Sequence, residues 1–217
     1  MFGKLDKKSK DLVLTLYNLK QSLDIYRLIA VNAHQINIAG AGKSFFAYAR
    51  KLALDSCVVN ICKLIEKENK NYELNSIPSV IGFLKKNKLQ PKNSKLIKIF
   101  IENNKQQYIL GEETKAFEFI FQNFRDNNAT EFKKLKDFRD KKIAHLENLP
   151  EGKETYISSY AVMDRILKFG IDFYSMVQEA YIGTFPVQFD HYTKVLIGLR
   201  HLLEIKGIKD IRDDFVD

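Results

Sequence analysis

The sequence predicts an all-α protein, a bundle of three or four long helices with an insert of shorter ones. Over several long stretches, apolar residues recur at intervals of three and four, the spacing of one helix face. The 217 residues include only ten Gly and four Pro, so few helix breakers interrupt these stretches. The sequence shows neither the apolar–polar alternation of strands nor an internal repeat.

The N-terminal part of the chain predicts two long helices joined by a turn. Leucines recur with helical spacing in a helix predicted over 6–33, and a Gly-rich segment at 39–42 interrupts the pattern. The second helix is predicted over 44–67. Apolar residues cover almost all of its sides, so we expect it at the centre of the bundle.

The middle of the chain, about 69–129, has a more broken pattern and predicts the insert of short helices. Ser76 two residues before Pro78 is typical of a helix start, because Ser caps the first turn and Pro fits within it. Further short helices are expected at 94–103 and 112–124.

Three more helices are predicted after the insert, over 130–146, 155–181 and 192–205, the last within a C-terminal segment of about 190–206. We interpret residues 1–217 as a single all-α domain, because this length suits one hydrophobic core.

The charge of the chain favours a polyanionic partner. The formal net charge is +8, and the stretch 85–98 contains six Lys and no acidic residue. A solvated lysine face is the alternative reading of that stretch. The chain contains only two cysteines, Cys57 and Cys62, and no His lies near them in the sequence. This supports neither a disulfide framework nor a zinc site, so we interpret them as core thiols. No apolar run is long enough to span a membrane, and we expect a cytoplasmic protein.

The most informative segment is 138–147, which reads Phe-Arg-Asp-Lys-Lys-Ile-Ala-His-Leu-Glu. Imidazole can transfer protons near neutral pH, and a guanidinium can bind a phosphate through two parallel hydrogen bonds. The spacing of Arg139 and His145 is not distinctive by itself, since Arg27 and His34 form a second such pair. The distinctive feature is what surrounds it, with an acid directly after the Arg and Ala directly before the His.

On a straight α-helix, Arg139 would lie in the middle of an apolar face. His145 would lie about 120° around the helix from it and about 9 Å along the axis. The two side chains can then act together only if the helix bends or a second copy of it is present. Asp55 is a candidate partner for Arg139 across the bundle, and an intrahelical pair with Lys51 is the alternative.

The string at 139–147 resembles the Arg-Asp-Lys-x-x-Ala-His-x-acid signature of the HEPN superfamily, in particular its AbiU-like abortive-infection branch. The resemblance extends from about Phe45 to about Tyr181. It implies an all-α bundle that acts as a metal-independent endoribonuclease without a cofactor. It also implies a homodimer, a role as a toxin in phage defence, and RNA as the partner, with an antitoxin as a further candidate partner.

By this resemblance, Arg139, His145 and Asp140 are the catalytic residues, and Lys141 and Lys142 bind the RNA backbone. The expected products are a 2′,3′-cyclic phosphate and a 5′-hydroxyl. Several toxin branches place a Tyr two residues after the His, where this chain has Glu, so a modification at that Tyr does not carry over. Two alternatives remain: a non-catalytic HEPN module that binds RNA or a protein, and a structural bundle in which the Arg forms an ion pair.

Overall fold

The computed structural model of the protein describes residues 2–40, 42–67, 75–144, 159–189, 194–208 and 211–212. These residues form nine α-helices and two π-helical turns and contain no strand, which confirms the predicted all-α bundle. The α-helices are α1 (Phe2–Val31), α2 (Ala33–Ala39), α3 (Lys43–Ile65), α4 (Ile77–Asn87), α5 (Ser94–Asn103), α6 (Glu113–Asn127), α7 (Ala129–Phe138), α8 (Tyr160–Val177) and α9 (Lys194–Ile205).

Three long helices, α1, α3 and α8, pack against one another and form the centre of the bundle. Each contributes a stripe of fully buried apolar residues, as the spacing in the sequence predicts. α1 and α8 approach closely at Gly170, where an added Cβ would lie 2.6 Å from Leu16 Cδ2. Gly170 is therefore required by packing rather than by backbone conformation.

The predicted insert consists of α4, α5 and α6, which cover one side of the central helices. The Ser76 side chain accepts a hydrogen bond from the backbone N–H of Ser79, so Ser76 caps α4 as predicted. Phe100, Phe117 and Phe173 pack edge to face at centroid distances of 6.0–6.3 Å and join the insert to α8.

Several predicted helix bounds were wrong. The helix predicted over 6–33 ends at Val31, because the chain turns before Ala33, and a separate helix, α2, follows. Residues 155–158 of the helix predicted over 155–181 lie outside the described part. In the rest, α8 begins at Tyr160, and a π-helical turn replaces the α-helix over Gln178–Ile182. There the carbonyl of Ala180 accepts the backbone N–H groups of Lys92 and Asn93, at 2.7 and 3.2 Å. These bonds attach the loop before α5 to the end of α8.

A second, smaller apolar cluster lies at the C-terminal end of α1, where α2 follows in the chain. Its residues are Leu28, Ile29, Ile36, Phe46, Leu196, Leu203 and Ile208. It attaches α9 to the bundle beside α1. Among the described residues, no helix is both long enough and apolar enough to cross a membrane.

Candidate active site

The helix that carries the sequence motif changes its hydrogen-bonding pattern at Arg139. It is α-helical from Ala129 to Phe138 and π-helical over Arg139–Ala144, so the helix predicted over 130–146 is not a regular α-helix beyond Phe138; residues 145 and 146 lie outside the described part. A π-helix closes i→i+5 bonds and is wider than an α-helix, and such turns occur frequently at functional sites. The 120° separation expected for a straight helix therefore does not apply beyond Phe138.

Arg139 is held by two carboxylates from different parts of the fold. Its Nη1 donates to Oε1 of Glu66, which directly follows the end of α3. Its Nε donates to Oδ1 of Asp140 at 2.9 Å. The Arg139 side chain is 23% exposed, so it is largely covered by the protein but still in contact with solvent. The guanidinium is therefore fixed in one orientation at the end of α3.

The electrostatic surroundings keep Arg139 charged. Partial burial acts to lower the pKa of Arg139, but the hydrogen bonds to Glu66 and Asp140 outweigh it and raise the pKa above its ordinary value. The nearby thiol of Cys62 is buried, and burial raises its pKa to about 11 although the charge of Arg139 opposes the shift. At neutral pH this part of the site contains a permanent cation and a protonated thiol, so Cys62 cannot serve as a nucleophile.

A cavity of about 670 Å³ lies beside this cluster, between the end of α3 and helices α6 and α7. We call it the proximal cavity. Glu66, which binds Arg139, is part of its wall, and Phe132 and Ile65 provide apolar surface. Its cationic side chains are Lys67, Arg125, Lys133 and Lys136, against the two acids Glu66 and Asp126. The cavity thus combines apolar surface with an excess of positive charge, a combination that suits a nucleotide.

Comparison with known proteins assigns the family. The family model HEPN_AbiU2, described as AbiU2, matches residues 4–198. The chain belongs to the AbiU2 family of HEPN domains. The match covers most of the chain and confirms both the suggested superfamily and its AbiU-like branch. No curated protein and no solved structure matches the chain.

Not every residue of the HEPN motif falls within the described part of this AbiU2 family member. His145 and Glu147 lie outside it, directly after the π-helical turn. Lys141 is exposed and Lys142 is half-buried, both on that turn. The structure thus brings Arg139, Asp140 and Glu66 together, and His145 follows this cluster in the chain.

The sequence left two readings of Asp55 open, a partner of Arg139 across the bundle or of Lys51 on the same helix, and the first of them was wrong. The carboxylate that binds Arg139 is that of Glu66, whereas Asp55 lines a different cavity together with Asn18 and Lys63. Asp55 interacts electrostatically with Lys51 on its own helix, which was the alternative. A signal for Glu66 was present, because it is an acid at the end of a largely apolar helix. Whether Glu66 lies next to Arg139 depends on how α3 and α7 pack against each other, and the sequence does not show this packing.

The lysine stretch at 85–98 is partly engaged in contacts within the protein. Lys85 pairs with Glu118 at 2.9 Å and Lys98 with Glu102 at 3.7 Å. Lys92 donates to the carbonyl of Ile182 at 2.6 Å. These contacts support the reading of this stretch as a solvated face with local ion pairs. Across the described ranges, no group of three or more His, Cys, Asp or Glu side chains could hold a metal ion.

Proposed function

We propose that this protein is a metal-independent endoribonuclease of the abortive-infection or toxin type, acting on RNA through a composite site in a homodimer. Membership of the AbiU2 family supports an abortive-infection-related HEPN domain. The observation that carries the catalytic proposal is the orientation of Arg139 by Glu66 and Asp140 beside a cavity with excess positive charge. This arrangement offers an oriented cation to a phosphate group.

The chemistry needs one group that transfers protons and one that stabilises charge. His145 removes the proton from a ribose 2′-hydroxyl, whose oxygen then attacks the neighbouring phosphorus. The bond between phosphorus and the 5′-oxygen breaks, and that oxygen takes up the proton that His145 has removed from the 2′-hydroxyl. Arg139 stabilises the negative charge that develops on the phosphoryl oxygens. The products are a 2′,3′-cyclic phosphate and a 5′-hydroxyl, with no metal or cofactor.

Asp140 and the two lysines after it have supporting roles in this proposal. Asp140 orients Arg139 through the Nε bond. Lys141, exposed on the π-helical turn, binds the phosphate backbone without regard to base sequence, and Lys142 does so from the half-buried position beside it.

One observation favours a second candidate, a non-catalytic HEPN module that binds RNA or a protein. The two carboxylates on Arg139 outnumber its single charge, so a phosphate must compete with Glu66 for the guanidinium. In a binding module this pair would persist, and Arg139 would be structural. The two candidates differ in whether RNA is cut.

The deciding experiment is to incubate the purified full-length protein with total RNA in EDTA and to test the new ends. Cleavage that leaves 2′,3′-cyclic phosphates and is abolished by His145→Ala supports the nuclease. His145→Ala should leave helicity and oligomeric state unchanged. Uncut RNA at micromolar enzyme, or full cleavage by His145→Ala, would refute the proposed mechanism.

Mixing two inactive variants tests the composite site. Arg139→Ala and His145→Ala subunits, unfolded together and refolded, form heterodimers that combine one intact Arg with one intact His. If the site is shared between subunits, the mixture regains part of the wild-type activity, while each variant refolded alone stays inactive. A mixture that regains nothing, although differently tagged subunits co-purify as heterodimers, places both groups of each site in one subunit.

A further inference from the structure

A second cavity, of about 600 Å³, lies between α4 and α6, and we call it the distal cavity. It is mainly apolar, with walls that include Pro78, Ile81 and the 53%-exposed ring of Phe119. Gly82 also lines it, and an added Cβ there would meet nothing within 4 Å. An exposed aromatic ring beside such an open wall leaves room for a flat group to stack on the ring.

The distal and proximal cavities adjoin each other. Lys67 lines both of them. Gln122 of the distal wall donates to Asp126 of the proximal wall at 2.8 Å, so α6 forms one wall throughout. From Lys115 to Asp126 this wall is roughly 16 Å long at 1.5 Å per residue. The two cavities together form an extended groove that begins beside Glu66 and Arg139, and we call it the α6 groove.

Some of the charged side chains that line the α6 groove form ion pairs within the protein, and others do not. Five cationic and three acidic side chains line its two cavities. Two of these acids form ion pairs with cations that do not line the groove: Glu66 pairs with Arg139, and Glu118 pairs with Lys85. Within the described part of the chain, Arg125, Lys133 and Lys136 have no ion-pair partner. The proximal part of the groove is therefore available to an anionic chain.

We propose that single-stranded RNA lies in the α6 groove, with one base stacked on Phe119 and its phosphates on Lys67, Lys133 and Lys136. This proposal rests on the proposed function, because it leads the RNA to Arg139. A cationic track combined with an aromatic platform is how proteins bind single strands without sequence preference. A double helix offers no unstacked base to Phe119. The charge excess favours a nucleic acid over an apolar protein segment.

The test measures binding separately from cleavage. A fluorescent 12-nucleotide RNA with 2′-fluoro groups lacks the attacking hydroxyl, so its anisotropy reports binding alone. Phe119→Leu should weaken binding about tenfold, because base stacking is lost. Lys67→Gln should weaken it several-fold and reduce the salt dependence by about one phosphate contact. The matched controls are Tyr48→Leu, an exposed aromatic on α3, and Lys63→Gln, a lysine of α3 that lines another cavity. Both controls should bind like the wild type.

A third variant blocks the groove without disturbing the core. Gly82→Glu places a bulky anion in open space on α4, so the fold should persist while RNA binding falls at least tenfold. Gly198→Glu is its control, since Gly198 on α9 also has open space around it. Circular dichroism of both variants confirms folding.

The outcomes separate this inference from the proposed function. If Phe119→Leu and Gly82→Glu bind and cut RNA as the wild type does, RNA does not bind in the α6 groove, and the proposed nuclease activity is unaffected. RNA that binds through Phe119 but is never cut supports the groove and removes the nuclease. If the wild-type protein does not bind RNA, the α6 groove is not an RNA site, and a protein partner becomes the candidate occupant.

Discussion

Glu66 and Arg139 are 73 residues apart in the chain and joined by a direct hydrogen bond between carboxylate and guanidinium. The bond connects the residue after the last turn of α3 to the first residue of the π-helical turn. A cation is favourable at this place, because the carboxyl end of a helix carries partial negative charge. The contact sets the position of the motif relative to the central helix, and five predictions test the site and the core that supports it.

The first prediction concerns Glu66 itself. Glu66→Ala removes both the bond that orients Arg139 and a negative charge beside the phosphate. We expect kcat for RNA cleavage to fall about tenfold because Arg139 loses its orientation, while KM falls because repulsion is reduced. The cost in unfolding free energy should be about 1 kcal/mol or less, since both side chains are partly exposed.

Glu66→Gln is the matched control for this prediction. Its amide oxygen still accepts a hydrogen bond from Arg139, so kcat should remain closer to the wild type, while KM falls as in Glu66→Ala. Equal kcat values for Ala and Gln variants, both near wild type, would show that Glu66 does not position Arg139.

The second prediction concerns the identity of the cation. Arg139→Lys keeps the charge but loses the planar fork that contacts Glu66 and Asp140 at the same time. We expect cleavage to fall about 100-fold, as for loss of one donor to a transition state, with little change in thermal stability. Single-turnover rates at saturating enzyme measure the effect on chemistry. Wild-type rates would mean that a point charge is sufficient.

The helices of the fold could be predicted largely from the sequence, for local reasons. The 94–103 helix was predicted correctly, and Ser76 caps α4, because caps and helical spacing act within a few residues. The break between α1 and α2 and the two π-helical turns were not predicted. Each depends on contacts made elsewhere, as the bonds from Lys92 and Asn93 to the carbonyl of Ala180 illustrate.

The candidate site could be predicted only in part. Arg139 and Asp140 are adjacent in a recognisable string, so the sequence placed them together. Glu66 was missed and Asp55 was considered as a partner of Arg139, although both are acids on or beside α3 and are separated by roughly 16 Å along a helix. Which of the two acids lies next to Arg139 depends on the position of α3 along α7, and packing of the whole bundle sets this position. The α6 groove was missed for the same reason.

The third prediction compares two glycines in helices. Gly170→Ala places a Cβ 2.6 Å from Leu16 Cδ2, in a fully buried contact between α8 and α1. The cost of overpacking, about 1–3 kcal/mol, should exceed the gain in helix propensity of up to about 1 kcal/mol. Gly198→Ala meets nothing within 4 Å and should stabilise by about 0.5–1 kcal/mol. Urea unfolding of both variants tests the contrast, and a stabilised Gly170→Ala would mean that Leu16 can move aside.

The fourth prediction concerns the two thiols. Burial raises the pKa of Cys57 to about 12 and that of Cys62 to about 11, so both stay protonated at pH 8. Because the thiolate is the reactive form, labelling by an aromatic disulfide reagent should be at least about 100-fold slower in the folded protein than in denaturant. Cys57→Ala and Cys62→Ala resolve the two thiols. Rapid labelling of folded Cys57→Ala would show that Cys62 is accessible beside Arg139.

The last prediction is the pH dependence of stability at Asp55. Burial raises the pKa of Asp55 above 3.8, and the charge of Lys51 opposes the shift without cancelling it. The folded state therefore binds this proton more readily than the unfolded state. The resulting stability is fully present below the unfolded pKa and is lost as pH rises through the folded pKa. At pH 7 the carboxylate is ionised at a cost, which Asp55→Asn removes.

Asp55→Asn should therefore raise the Tm at pH 7 by about 1–2 °C and have little effect at pH 3. Lys51→Gln should do the opposite at pH 7, because it removes the attraction that offsets part of the burial cost. Thermal unfolding of both variants at the two pH values measures the pair. If Asp55→Asn lowers the Tm at pH 7, the carboxylate stabilises the fold, and its attraction to Lys51 outweighs its desolvation.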